Sequence, residues 1–239
     1  MNSRLKGIVT VILIVIIGLV AVSGIGYIRQ RMAEDQGVKY LKQKEYQKAY
    51  EEFDSAASRF TLIFTKQKKN VLFYEGEALY QMGEYNKAAE IYDRLIDRGE
   101  VKAYSLKAYC LMQRNKTKEA LEVCNLGISE FPKEGEIYCT KYAIYAKQEK
   151  YKEGLQVIKK ALKQDELKNK KEVLFARISA YESLFDFDTA YKYTKAYVKA
   201  YPKDAQGKKE LTFLETRCLT ASNRLKGLFF AYKKVEITN

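Results

Sequence analysis

The chain has 239 residues, with 43 Lys and Arg against 30 Asp and Glu and a formal net charge of +13. It contains no histidine, which excludes every His-based catalytic triad, His-ligated zinc site and imidazole general base. Its cysteines, Cys110, Cys124, Cys139 and Cys218, lie 14, 15 and 79 residues apart, match no Cys-x-x-Cys metal or redox spacing, and read as small buried helix residues.

Residues 1–7 form a short basic tail through Arg4 and Lys6, and no charged residue follows until Arg29. The uncharged run 8–28 is rich in Val, Ile and Leu. At about 1.5 Å rise per residue a helix of this length reaches roughly 30 Å, the thickness of a bilayer's hydrocarbon core. It therefore predicts a single transmembrane helix acting as a signal anchor, ending at the interfacial residue Tyr27. A cleaved leader is the alternative, since Ala21-Val22-Ser23 has the small residues of a cleavage site, and the remainder would then be secreted. A basic tail before a long apolar run predicts a single-pass membrane protein with its amino terminus inside and its bulk extracytoplasmic. Arg29, Arg31, Lys39, Lys42 and Lys44 beyond the span oppose that orientation on the positive-inside count, and cysteines that read as small buried helix residues favour a reducing compartment.

The remaining 211 residues carry a net charge of +11. Such a domain suits anionic lipid headgroups or an anionic wall polymer, unless the scattered lysines serve only solubility. They form no compact basic block, so no nucleic-acid partner is expected.

From Arg29 to Pro202 one pattern recurs: a short turn, an aromatic, charged residues, then a small residue opening an amphipathic helix. It is seen in Lys44-Glu45-Tyr46-Gln47-Lys48-Ala49, Gly83-Glu84-Tyr85-Asn86-Lys87-Ala88 and Asn115-Lys116-Thr117-Lys118-Glu119-Ala120. Glu149-Lys150-Tyr151-Lys152-Glu153-Gly154 and Phe185-Asp186-Phe187-Asp188-Thr189-Ala190 continue it. The intervals are 39, 32, 34 and 36 residues, a period that marks helical hairpins stacked as a solenoid. Ala49, Ala88, Ala120, Gly154 and Ala190 fall where paired helices approach most closely. The long first interval makes the Arg59–Asn70 connection irregular.

On these residues the chain resembles the tetratricopeptide repeat (TPR) family. The second unit carries the likeness best, with Leu72, Gly76, Leu79, Gly83, Tyr85, Ala88, Tyr92 and Leu95. The family's Trp is absent throughout, and its terminal Pro occurs only at Pro132 and Pro202. The resemblance implies an all-α fold, an α-solenoid of about five TPR-like hairpins over residues 29–202. A capping helix and tail over 203–239 follow, with an apolar face of Leu211, Leu214, Cys218, Ala221, Leu225, Leu228 and Tyr232. Leu228, Phe229, Phe230 and Tyr232, with Lys233 and Lys234, offer a docking patch as the alternative.

The resemblance further implies a non-enzymatic scaffold that binds a protein or peptide in the groove lined by the first helix of each unit. Carried onto this sequence, the groove positions are Val38, Leu41, Phe73, Glu77, Tyr80, Gln81, Tyr109, Met112 and Gln113. Cys139, Lys147, Phe175, Ser179 and Glu182 continue them. The family's Lys and Asn clamp for a terminal carboxylate is not matched, because Glu34, Val38, Phe73 and Glu77 stand in the comparable places. No catalytic residue, cofactor or metal is assigned: the acidic pairs Glu51-Glu52 and Asp186 with Asp188 sit at repeat turns, where solvated helix ends account for them.

Overall fold

The computed structural model describes residues 3–58 and 66–218, with side chains for 7–58 and 68–218. Among these, every regular element is a helix: α1 Ser3–Lys42, α2 Tyr46–Ala57, α3 Lys66–Gln81, α4 Tyr85–Ile96, α5 Lys102–Gln113, α6 Thr117–Glu130, α7 Gly135–Lys147, α8 Tyr151–Ala161, α9 Lys170–Ser183 and α10 Phe187–Ala200. An eleventh helix, α11, covers 205–218 to the last described residue. The connection 59–65 and the segment 219–239 lie outside the described residues. So do the proposed capping positions Ala221, Leu225, Leu228 and Tyr232 and the patch with Phe229, Phe230, Lys233 and Lys234.

The chain divides into two compact units, Met1–Glu119 and Ala120–Asn239. In the first, α1 packs on α2, α2 on α3, α3 on α4 and α4 on α5. In the second, α7 packs on α8 and α9, and α9 on α10.

One device closes each hairpin. The second residue past the first helix adopts a left-handed backbone at Lys44 (φ 60°), Gly83 (φ 81°), Asn115 (φ 58°), Glu149 (φ 59°) and Phe185 (φ 59°). In the second hairpin the Gly83 amide donates to the Tyr80 carbonyl at 3.0 Å and the Glu84 amide to the Leu79 carbonyl at 2.9 Å. The same paired bonds recur at Lys44 and Glu45, Glu149 and Lys150, and Phe185 and Asp186. This pairing satisfies carbonyls that a helix end would otherwise leave bare. Asp186 also caps α10, accepting a bond from the Thr189 amide at 3.2 Å.

Packing follows the small-residue positions. Ala49, Ala88, Ala120 and Ala190 are fully buried, and Gly154 is buried in α8. A ring meets a glycine across each of the first two hairpins. A Cβ on Gly37 would lie 2.5 Å from the Phe53 ring, and one on Gly76 would lie 2.7 Å from the Tyr92 ring. The backbones approach this closely because no side chain stands between them. In the second unit Leu214 of α11 is fully buried in one cluster with Ile178 of α9 and with Ala190 and Tyr197 of α10.

Helix α1 joins two parts that differ in composition. Its apolar half has a mean hydropathy of 3.1 and none of it is buried against the rest of the protein. Beyond it, Gln30 is fully buried and its Nε2 donates to the Ala56 carbonyl of α2 at 3.1 Å. The helix runs without a break through residues 28 and 29, so the long apolar segment and the first helix of the first hairpin are one rod.

Candidate functional site

Helices α3 and α5 run side by side as the first members of consecutive hairpins, with α4 behind them. On α3 the residues Asn70, Phe73, Glu77 and Gln81 follow a spacing of three and four, and on α5 Lys102, Leu106, Tyr109 and Gln113 do the same. That spacing puts each set on one helix face. Between the two faces is a cleft of about 600 Å³, lined by Asn70, Phe73, Tyr74, Glu77, Tyr80, Gln81, Tyr92, Lys102, Leu106 and Tyr109.

The walls are aromatic and the polar groups are spaced along the cleft. Phe73 and Tyr80 pack partly buried against the core of the second hairpin, and the Tyr109 ring is 37% exposed. Tyr80 meets the Tyr85 ring edge-on with centroids 5.2 Å apart. Its hydroxyl accepts a bond from Gln113 Nε2 at 2.8 Å, tying α3 to α5. Tyr74 is held from behind by stacking on Phe53 at 5.5 Å. Tyr92 forms the floor, and burial pushes its phenol above the usual range, so it stays protonated. Asn70 and Lys102 mark one end and Gln81 the other, with Glu77 between. Rings supply contact area, while amides and a carboxylate can bond a peptide backbone that would otherwise lose its water.

Five sequence-derived groove residues, Phe73, Glu77, Tyr80, Gln81 and Tyr109, thus line one cleft. Gln113 joins it through Tyr80, and Met112 is half-buried beside Gln113 on α5. Val38 and Leu41 pack against the core of the first hairpin. In the second unit Lys147 is exposed and Cys139 half-buried on α7. Phe175 packs edge-on against Tyr197 at 5.5 Å, and the Ser179 carbonyl accepts from the Ser183 hydroxyl at 2.8 Å. Glu182 is turned inward: burial first, then a hydrogen bond shared with Glu210 of α11, pushes its carboxyl up to about 8. Sequence reasoning passed over Asn70, Tyr74, Tyr92, Lys102 and Leu106. Asn70, Lys102 and Leu106 were within reach, since each continues a face already recognised at i − 3 or i − 4.

The family model for the anaphase-promoting complex, cyclosome, subunit 3 matches residues 81–161. Three similar solved structures share the arrangement of helices. A thermophilic TPR protein of Thermus thermophilus is 17% identical with a TM-score of 0.56, over 78% of this chain and 99% of that one. A tetratricopeptide repeat protein of Parabacteroides merdae is 14% identical with a TM-score of 0.53, over 84% and 79%. MamA of Desulfovibrio magneticus is 17% identical with a TM-score of 0.51, over 74% and 98%. The fold is a tetratricopeptide repeat fold. No curated protein matches the sequence. The TPR turns are the five left-handed positions above, and the TPR close contact is the glycine-to-ring packing of Gly37 with Phe53 and Gly76 with Tyr92. TPR folds generally serve as non-catalytic scaffolds that bind protein partners.

Proposed function

We propose that this protein is a membrane-tethered adaptor, in which α1 crosses the bilayer and the α3–α5 cleft captures an extended peptide or a helix of a partner protein. The observation that carries the reading is the cleft itself, where four tyrosines, Phe73 and Leu106 surround spaced amides and one carboxylate. Anchoring is supported by the exposed apolar half of α1, which has no protein surface to cover it and would otherwise stand bare in water.

The cleft favours apolar and aromatic side chains set on a peptide backbone. Tyr109 stands out as the most accessible ring, and aromatic residues in such positions dominate binding energy elsewhere. Capture of partners by the purified full-length chain in detergent should be lost in the double variant Phe73→Ala, Tyr109→Ala while helical content by circular dichroism stays the same. Unchanged capture by the double variant would rule the cleft out as the binding surface. Residence of the chain in the membrane fraction after alkaline extraction tests the tether separately.

A further inference from the structure

The unbroken helix α1 fixes which end of the first unit meets the bilayer. The apolar run ends at Ile28, and two residues later Gln30 is already buried against Ala56 near the end of α2. No linker lies between span and hairpin, so the end of the first hairpin is held at headgroup level. Equivalent positions in the next hairpin are 39 residues on, as the matched contacts Gly37 to Phe53 and Gly76 to Tyr92 show. By that register Arg29 and Gln30 align with Lys68 and Lys69 near the start of α3. The turns Gly83 and Asn115 set a further step of 32 residues, which brings Glu100 and Val101, immediately before Lys102 at the start of α5, to the same end.

We infer that this end of the first unit, carrying Arg29, Arg31, Lys68, Lys69, Arg98 and Lys102, lies against anionic phospholipid headgroups of the membrane that α1 crosses. The inference rests on the reading of α1 as a spanning helix. Asp54, Asp97 and Glu100 stand against these six cations, and Glu100 is already paired with Lys69 at 3.2 Å. Asp93, equivalent to Asp54 in the next hairpin, is paired with Lys107. Basic side chains next to a membrane anchor gain attraction from an anionic surface that decays within a Debye length, and only groups held at the headgroups benefit. One consequence concerns the cleft: its Asn70 and Lys102 end lies towards the bilayer and its Gln81 end away from it, so a soluble partner enters from the Gln81 end.

The chain has no tryptophan, so one introduced indole is a unique reporter. The full-length variants Val101→Trp, at the proposed lipid-facing end, and Gln43→Trp, at the opposite turn, are reconstituted into phosphatidylcholine vesicles with and without phosphatidylglycerol, the acyl chains brominated near the headgroup. Flotation with the neutral vesicles reports the anchor alone. The expected result is that both variants float, that Val101→Trp loses emission more strongly in anionic than in neutral vesicles, and that Gln43→Trp keeps its emission in both. Adding Arg98→Gln and Lys102→Gln should restore the emission, and Ser58→Trp at the end of α2 gives a second reporter if Val101→Trp misfolds. Floating protein in which the two reporters are quenched alike, or equally in both lipids, would overturn the proposal and leave the anchor standing. A chain that fails to float removes the anchor and this inference with it.

Discussion

At the scale of single residues, the turns and the buried carboxylates hold the departures from simple expectation. Glycine and asparagine tolerate the left-handed backbone at positions 83 and 115, whereas Lys44, Glu149 and Phe185 hold it against the crowding of their own Cβ atoms. Glu149→Gly should therefore stabilise the protein by about 0.5–1 kcal/mol, the strain relieved less the extra chain entropy of glycine, and Gly83→Ala should destabilise it by about 1 kcal/mol. Thermal or denaturant unfolding measures both. Glu75 of α3 is buried with Oε2 unpartnered. Burial pushes its carboxyl up to about 7 from an ordinary 4.5, with Arg94 opposing and Asp54 adding to the rise. The folded state thus binds this proton more tightly than the unfolded state. The stability it contributes is fully present below about pH 4.5 and is lost as pH rises towards 7. Glu75→Gln should flatten that part of the pH–stability curve and be the more stable form at pH 8, by on the order of 2 kcal/mol. A pH series of unfolding midpoints that is unchanged by the substitution would contradict the assignment. Neither feature was legible beforehand, because residue type alone marks Lys, Glu and Phe as poor turn residues and Glu as a surface residue; the demands of neighbouring helices override both tendencies.

At the scale of the element, the hairpin was legible because close packing leaves a regular trace: small residues at 49, 88, 120, 154 and 190 where helices touch, with rings beside them. Gly76→Ala should cost about 1–3 kcal/mol, since a Cβ 2.7 Å from the Tyr92 ring must displace it or part α3 from α4. The measurement is a denaturant midpoint for Gly76→Ala beside Glu90→Ala on the exposed face of α4, and equal, small effects would show that the contact yields freely. The groove was partly legible for the same reason of periodicity. Phe73 and Glu77 fall on one face of α3 by count and Tyr109 on one face of α5, but Tyr92 belongs to the second helix of its hairpin and reaches the cleft only because Gly76 lets its ring through. The continuity of α1 was hidden by composition. The change from apolar to charged at residues 28 and 29 reads as a boundary between parts, yet backbone hydrogen bonding is indifferent to that change and the helix passes through it.

At the scale of the whole molecule, the proposed membrane-tethered adaptor rests on three features: the TPR fold, the apolar half of α1 and the aromatic cleft. The three features are separable by experiment: the fold by unfolding of the turn and contact variants, the anchor by extraction and flotation, and the cleft by binding. The most direct test of the central claim places a photo-crosslinking phenylalanine analogue at Tyr109 in the cleft, or at Glu90 on the exposed face of α4, and irradiates intact membranes containing the full-length chain. The account predicts a discrete covalent adduct from position 109, abolished by Phe73→Ala and absent from position 90. Adducts of the same pattern from both positions, or an adduct at 109 that survives Phe73→Ala, would contradict it.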